Sequence, residues 1–528
     1  MKKSQRQKTA EKKSAQKDPD KLLMFLSRWK ELMLILLAST FIYTYTFDTK
    51  LDLNGDNVDY YLLGKALAEG KGYTTIWYPD SPPYTHRPPG YPLIIAAALT
   101  LGFQSFFAIK WLNFILFAGI IIFFYSICLK IVEDRTQSLV ATALIAVNFH
   151  LIHFSWQMMS EISFLFFMIL AFYFLIKTEE SEKPFLKNPY LWLLVFSLSA
   201  AYHIKTVGVS MLLAVLVYLG FKKDWKKALA VLSGFVVIAL PYYLRNKMLG
   251  SGSGYLKYIV YKNPYQRELG TMGLTDYIER IFSNGVRYLS IEVPHGILPF
   301  IDNSASGTLG WATGLILAVL SVFALIRLKR YRKLILSLFI VNAGILLIWP
   351  DVWVGIRFMI PLLPFLFLLL VISLRELFKP LKIKTNYMYL LVPLFLLANK
   401  DVISQYHQYA GHDYPPAYAN YFNLASWAAA NTNPKDIFIA RKPQFFYLFS
   451  GRQTNTYLYI SDDQALLKNM EAQRVKYVVI EQLGYGSTPR YLVPAIQKNQ
   501  SRFRMVHQTA KPETYLLEFL SPDVGIEN

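Results

Sequence analysis

LGWATGLILAVLSVFALI (Leu309–Ile326), then RLKRYRK (Arg327–Lys333), then LILSLFIVNAGILLI (Leu334–Ile348) is the stretch whose reading decides the fold. Neither apolar run carries an ionised side chain, and the connector between them is mostly Lys and Arg. Runs of roughly 17–25 apolar residues are long enough to cross the hydrocarbon core of a bilayer. Lys and Arg in short connectors are retained on the cytoplasmic side. The stretch therefore reads as an inward crossing, a cytoplasmic turn and an outward crossing.

The same grammar recurs in both directions. Apolar runs include Leu32–Phe47, Leu112–Cys128 and Phe358–Leu374, and basic connectors include FKKDWKK (Phe221–Lys227) and RELFKPLKIK (Arg375–Lys384). The chain is 54% hydrophobic and 17% charged, whereas soluble domains carry about 25% charged residues. Its net charge of +20 is concentrated in the tail Met1–Lys30 and in these connectors. That placement follows the membrane and argues against nucleic acid as a partner. The single cysteine, Cys128, excludes an intramolecular disulfide. The first apolar run has a long charged leader and no small-residue cleavage site, so it reads as an uncleaved first span.

Apolar length and connector charge predict about eleven transmembrane helices. They are Leu32–Phe47, Phe106–Cys128, Leu139–His153, Ile162–Ile176, Tyr190–Ala201, Val207–Phe221, Ala228–Leu244, Leu309–Ile326, Leu334–Ile348, Phe358–Leu374 and Met388–Leu397. The short run Tyr91–Phe103 reads as interfacial or re-entrant. The odd number puts the N-terminus in the cytoplasm and the C-terminus outside, with every basic connector on one side. The expected organisation is a basic cytoplasmic tail (1–30), a mainly α polytopic helical bundle (31–399) with external loops at 48–90 and 245–308, and an extracytoplasmic α/β domain (400–528). In that last unit Leu424–Ala430 and Asp463–Met470 read as helices, Asp436–Ile439 and Val475–Ile480 as short buried strands, and Val506–Phe519 as room for two more.

A transporter concentrates ionisable residues inside its spans. Here the unusual polar residues gather where spans meet the external face. The first external loop contains Asp56, Asp59 and Tyr60 and closes on His86-Arg87-Pro88-Pro89, and Ser160-Glu161 stands at the next external boundary. Two carboxylates facing one cavity suit proton transfer from an attacking hydroxyl. A phosphate leaving group calls for cations, and Arg supplies a bidentate fork; Arg87, Lys205, Arg245 and Arg357 are the candidates. Lys205 and Arg357 stand at external span ends, where the positive-inside rule disfavours them.

Plainer roles compete. Asp56 suits a helix N-cap or a turn, and Glu161 suits the N-terminus of a span. Arg87 could snorkel at the interface, with Pro88 and Pro89 holding the chain extended after it. Arg245 reads as a helix C-terminal charge, and Trp349 and Trp353 as interfacial belt residues. His86 and His203 do not have metal-ligand spacing, so no metal is expected.

The blocks GDN (Gly55–Asn57) with DYYLLGKALAEGKGYT (Asp59–Thr74), and HRPPGYP (His86–Pro92), resemble the first loop of GT-C glycosyltransferases. The resemblance is to the dolichyl-phosphate-mannose protein mannosyltransferase and aminoarabinose transferase group. MMSEISFLFF (Met158–Phe167), HIKTVG (His203–Gly208), PYYLRN (Pro241–Asn246), IRFMIPLLPF (Ile356–Phe365) and NTNPKDIFIARKP (Asn431–Pro443) are similar to later family blocks in the same order.

The resemblance implies an inverting membrane glycosyltransferase that moves a hexose or pentose from a polyprenyl-phosphate donor to an acceptor hydroxyl. The acceptor would be a lipid, glycan or protein on the outer face of a plasma (bacterial inner) membrane. Asp56 matches the family's first-loop catalytic carboxylate, and Glu161 its second acidic position. Arg87, Lys205 and Arg357 would meet the donor phosphate, with Asp59, Tyr60 and His86 as further candidates. No cofactor is expected beyond the lipid-phosphate sugar substrate. The alternative is a lipid-linked sugar flippase without transferase activity.

Overall fold

Where the apolar runs fall, helices form. The computed structural model describes residues 17–250, 258–266, 269–304 and 306–521. Much of the basic tail and parts of the loop at 245–308 therefore lie outside the described residues. The chain is mostly helical, with one small sheet near its C-terminus.

Among the described residues, four helices are individually long and apolar enough to cross a membrane: Phe106–Val132, Ser160–Glu180, Trp225–Met248 and Thr308–Arg327. Counting each of two bent helix pairs as one span gives up to six, and shorter apolar helices lie at Gly90–Thr100, Pro189–Ile204 and Thr206–Phe221. Only 11% of the most apolar window of Trp225–Met248 is buried. In water that would leave a large apolar face exposed; against lipid the same face costs nothing.

Several expected spans are broken or shifted. Leu139–His153 is two helices, Arg135–Ala146 and Phe149–Trp156, bent by 51°. Asn148 makes the break: its side chain accepts from Leu151 N and donates to Gly296 O at 3.0 Å, capping the second helix. The expected Phe358–Leu374 begins later, at Leu363. Ile356–Phe358 is a 3₁₀ turn instead, which keeps Arg357 outside the span. The expected Met388–Leu397 starts as a 3₁₀ turn, Thr385–Leu390, and continues as the helix Leu391–Ala398.

Ion pairs gather the basic connectors. Arg135 meets Glu31 at 2.7 Å, Lys130 meets Glu180 at 2.9 Å, Lys222 meets Glu179 at 2.6 Å, Arg330 meets Glu133 at 2.8 Å and Arg327 meets Glu376 at 3.1 Å. The connectors expected in the cytoplasm thus share one end of the bundle. Helix Ser160–Glu180 carries Glu179 and Glu180 at that end and Glu161 at the other. At 1.5 Å per residue the two ends are roughly 30 Å apart, about the thickness of a bilayer's hydrocarbon core.

Two glycines set the geometry at that far end. Pro89 does not prolong an extended chain; it is helical (φ −82°, ψ −2°) and directly precedes helix Gly90–Thr100. Proline's fixed φ suits a helix start. A Cβ on Gly90 would come within 2.5 Å of the His203 carbonyl, so only glycine lets the His86–Pro89 turn lie against the residues around Lys205. Gly55, at φ +98°, is the N-cap of helix Asp56–Ala68 and lies against Gln444 and Lys442.

The C-terminal sheet holds β1 (Ile437–Ile439), β2 (Thr454–Asn455), β3 (Val475–Ile480), β4 (Phe503–Gln508) and β5 (Tyr515–Phe519) in the order β2-β1-β3-β5-β4. β1 pairs in parallel with β2 and β3, and β5 pairs antiparallel with β3 and β4. The sheet unit docks on the loop at 48–90: Lys442 Nζ donates to Asn54 O at 2.6 Å and Thr454 N to Trp77 O at 2.7 Å.

Candidate active site

Helix Asp56–Ala68 begins at Gly55, which turns through the left-handed region and takes the N-cap position itself. Asp56 is therefore the first helical residue, and its carboxylate is free of capping duty. Asp59 follows one turn later, on the same side of the helix. Both carboxylates meet one guanidinium: Arg87 Nη2 donates to Asp56 Oδ1 at 2.7 Å and Nη1 to Asp59 Oδ2 at 3.3 Å. The planar fork of Arg explains why one residue can hold two acids.

Arg87 is itself held. Its guanidinium lies over the Tyr60 ring at 5.2 Å, and its carbonyl accepts from the hydroxyls of Tyr73 and Tyr242, both at 2.9 Å. Tyr60 Oη shares a 3.2 Å hydrogen bond with Ser160 Oγ, beside Glu161.

Arg357 extends the chain of charges. Its Nη1 donates to Asp56 Oδ2 at 3.4 Å and its Nε to Glu161 Oε1 at 2.9 Å. Lys205 Nζ donates to the same Glu161 oxygen at 2.9 Å. Glu161 is only 1% exposed, and its Oε2 has no partner among the described residues. The run Asp59–Arg87–Asp56–Arg357–Glu161–Lys205 alternates in sign along its whole length. Alternation is what makes so many charges tolerable in a poorly solvated place, because each desolvated ion gains a partner.

Burial pushes the Asp59 carboxyl up to about 6, against the pull of Arg87. His86 is pushed down by burial and then by the adjacent Arg87, so its imidazole is neutral at physiological pH. Its ring packs edge-on to Tyr84 at 5.6 Å and does not join the ion-pair chain. Arg245, expected as a helix-end charge, grips the first loop: it donates to Tyr84 O at 2.9 Å and Tyr73 O at 3.1 Å.

Two cavities meet at Arg87. The smaller, about 370 Å³, is lined by Asp56, Tyr60, Arg87, Lys205 and Arg357 together with apolar side chains such as Val207, Ile345, Leu346 and Val352. The larger, about 760 Å³, is lined by Asp59, His86 and Arg87 and by residues of the C-terminal unit, Arg441 and Tyr459 among them. Trp353 lines both and Trp349 the smaller, so these tryptophans are site walls as well as boundary residues. A third cavity, about 580 Å³, reaches Arg357 from the side of Asp52, His153 and Gln157.

Asp56, Asp59, Tyr60, Arg87, Glu161, Lys205 and Arg357 thus converge, while His86 lies beside the cluster. Sequence reasoning missed Tyr265, Arg441 and Tyr459 as lining residues. Arg441 stood inside a quoted block, ARKP, but nothing local tells that it turns toward the first loop. Among the described residues, no three His, Cys, Asp or Glu side chains are grouped to hold a metal ion.

The family model for dolichyl-phosphate-mannose-protein mannosyltransferase matches residues 83–249. No curated protein matches the sequence significantly. Among solved structures, ArnT from Cupriavidus metallidurans bound to undecaprenyl phosphate is similar with a TM-score of 0.61 and 12% identity, covering 94% of this chain and 100% of that one. Its apo state gives 0.58 and 11%, covering 93% and 98%. The Archaeoglobus fulgidus oligosaccharyltransferase, in complex with Zn and sulfate, gives 0.55 and 13%, covering 93% and 74%. At these identities the likeness is one of fold, and it runs along almost the whole chain. The chain is similar to GT-C glycosyltransferases, as its blocks implied.

Proposed function

We propose that this chain is a membrane glycosyltransferase that moves a sugar from a polyprenyl-phosphate donor to an acceptor hydroxyl on the extracytoplasmic face, with inversion at the anomeric carbon. The observation that carries the reading is the bridge Asp56–Arg357–Glu161–Lys205, of which Asp56, Arg357 and Lys205 line a cavity together with apolar side chains. The mannosyltransferase family match supports it and spans His86, Arg87, Glu161 and Lys205. The fold shared with a protein bound to undecaprenyl phosphate supports a lipid-linked donor.

In this reading the donor's prenyl chain runs along the apolar wall, and its phosphate faces Lys205 and Arg357. Arg87 also lines the cavity and holds Asp56 and Asp59 with its two Nη groups. Asp56 takes the proton of the acceptor hydroxyl as that oxygen attacks the anomeric carbon. The bond from that carbon to the phosphate oxygen breaks, and its electron pair stays on the phosphate, where the preorganised cations meet it. A single displacement inverts the centre. Glu161 keeps both cations aimed. The smaller cavity lies at the end of the bundle away from the clustered basic connectors. With the basic connectors in the cytoplasm that cavity opens on the extracytoplasmic side; about eleven crossings, a cytoplasmic N-terminus and an extracytoplasmic C-terminal domain in the plasma membrane complete the reading.

The test is sugar transfer by the purified full-length chain in lipid nanodiscs, using a radiolabelled undecaprenyl-phosphate sugar and a membrane extract as acceptor source. Asp56→Asn should lower the rate about 10²–10⁴-fold, the usual worth of a positioned base, with thermal stability little changed. In sealed proteoliposomes, donor that crosses the bilayer with no label transferred would instead support the flippase reading.

A further inference from the structure

The two acids that share Arg87 line different cavities, Asp56 the smaller and Asp59 the larger. The larger, at about 760 Å³, falls within the roughly 300–1,000 Å³ common for small-ligand sites. Its walls come from the first external loop, from the segment around Tyr258–Tyr265 and from the C-terminal unit. Two of them are flat and aromatic. Trp353 Nε1 donates to Tyr265 Oη at 2.8 Å, with Tyr258 edge-on to Trp353 at 5.2 Å. From the C-terminal unit comes Tyr459. Tyr265 is 74% exposed and Tyr459 46%, so Tyr265 is largely uncovered and Tyr459, stacked with Tyr491 at 6.1 Å, keeps part of its ring open.

Beside Tyr459, and from the same C-terminal unit, Arg441 lines the cavity. Its guanidinium sits 4.3 Å from the Tyr485 ring centre and 5.3 Å from that of Tyr459, and its Nε donates to Ser487 Oγ at 2.9 Å. Packing of this kind fixes a guanidinium without neutralising it. Arg87, Lys205 and Arg357 all have carboxylate partners; Arg441 has none among the described residues. Its neighbour Lys442 is engaged in docking on Asn54.

We propose that the larger cavity is the acceptor site and that the acceptor is a saccharide bearing an acidic group, its ring against Tyr459 and the Trp353–Tyr265 shelf and its carboxylate or phosphate on Arg441. The proposal rests on the glycosyltransferase reading and deepens it by naming the acceptor class. A pyranose has an apolar C–H face that lies flat on an aromatic ring and a rim of hydroxyls that need polar partners, which Gln444 and Thr456 in the same wall supply. A peptide acceptor would add as a strand to an open sheet edge or fill a row of side-chain pockets. The nearby edge strand β2 is already covered, since Thr454 N donates to Trp77 O. Asp59, on the same wall, is placed to receive an acceptor hydroxyl on its way to Asp56.

The experiment titrates the full-length chain in nanodiscs, by tryptophan fluorescence, with trigalacturonate, glucose 6-phosphate, neutral maltotriose, a Ser/Thr-rich peptide and undecaprenyl phosphate. An acidic saccharide should bind at least about tenfold more tightly than maltotriose, the worth of one charged hydrogen-bonded contact. Trigalacturonate and glucose 6-phosphate separate the carboxylate source from the phosphate source. Arg441→Gln should erase the acidic preference, Tyr459→Ala should weaken all the saccharides, and neither should alter undecaprenyl phosphate binding. The proposal is overturned if neither acidic saccharide binds, if Arg441→Gln leaves the preference intact, or if the peptide binds in their place. Retained lipid binding in those cases removes the acceptor assignment alone; loss of lipid binding by the unmutated chain removes the glycosyltransferase reading as well.

Discussion

At one end of the helical bundle, Arg135–Glu31, Arg330–Glu133 and Lys222–Glu179 join neighbouring connectors in separate pairs, and the basic partners are about half exposed. At the other end, Asp59, Arg87, Asp56, Arg357, Glu161 and Lys205 form one continuous chain, with Glu161 almost fully buried. The same residue types make both. Solvent separates their physics: an exposed pair contributes about 0–1 kcal/mol, whereas a buried one has already lost its hydration and depends on its partner. In the proposed topology charge at the first end sorts the loops between two sides of a membrane. In the proposed reading charge at the second is held ready for chemistry, and the member whose loss costs stability is the buried Glu161.

The hardest blow to that contrast is Glu161→Gln. It leaves Lys205 and Arg357 sharing a buried site without their anion, and the expected loss is about 3–5 kcal/mol, read as a lowered unfolding temperature in detergent. Adding Lys205→Met should recover part of the loss. A Glu161→Gln protein as stable as the parent would mean that this end is as well solvated as the other.

Arg87→Lys is the next test. It keeps the charge but can bridge only one of Asp56 and Asp59, so turnover should fall about tenfold, on the order of one charged hydrogen bond, with smaller change in stability. Unchanged transfer kinetics would show that the shared fork does not matter.

The Asp59 carboxyl gives a pH signature. Its folded value, raised from 3.8 to about 6, means the folded chain holds more proton than the unfolded chain between those values. Its contribution therefore favours folding at low pH and is lost as pH rises toward 6. Asp59→Asn should flatten that part of the stability–pH curve and be at least as stable as the parent at pH 7. An unchanged slope would place Asp59 in contact with water.

The smallest effect belongs to the first end. Arg135→Ala should cost no more than about 1 kcal/mol, and part of that cost should vanish in high salt. A loss as large as that of Glu161→Gln would erase the distinction between the two ends.

The blocks around Asp56, Arg87, Glu161, Lys205 and Arg357 were legible because each broke a local pattern: a carboxylate beside turn residues, or a cation where a membrane protein avoids one. Strands β1 and β3 were legible as short apolar runs. β2, only two residues long, carries no comparable signal; helix Pro443–Ser450 was missed although Pro443 at its start and Gly451 past its end mark it. Arg441 and Tyr459 look ordinary in sequence, since their place depends on how the C-terminal unit sits on the first loop. The bend at Asn148 was missed because one polar side chain in an apolar run does not announce whether it will cap a helix.

Sequence alone determined which segments are apolar and which connectors are basic, because the transfer of a segment into lipid and the retention of its flanking Lys and Arg are nearly sums over local composition. Tertiary structure decided the rest. Arg357 stands 301 residues from Asp56 and 196 from Glu161, and no periodicity relates them. Their meeting depends on helices packing to within a few ångströms, as at Gly90 against His203. Which acid shares which cation, and which faces which cavity, follows from that packing, because the strength of a charge interaction is set by distance and burial rather than by order along the chain.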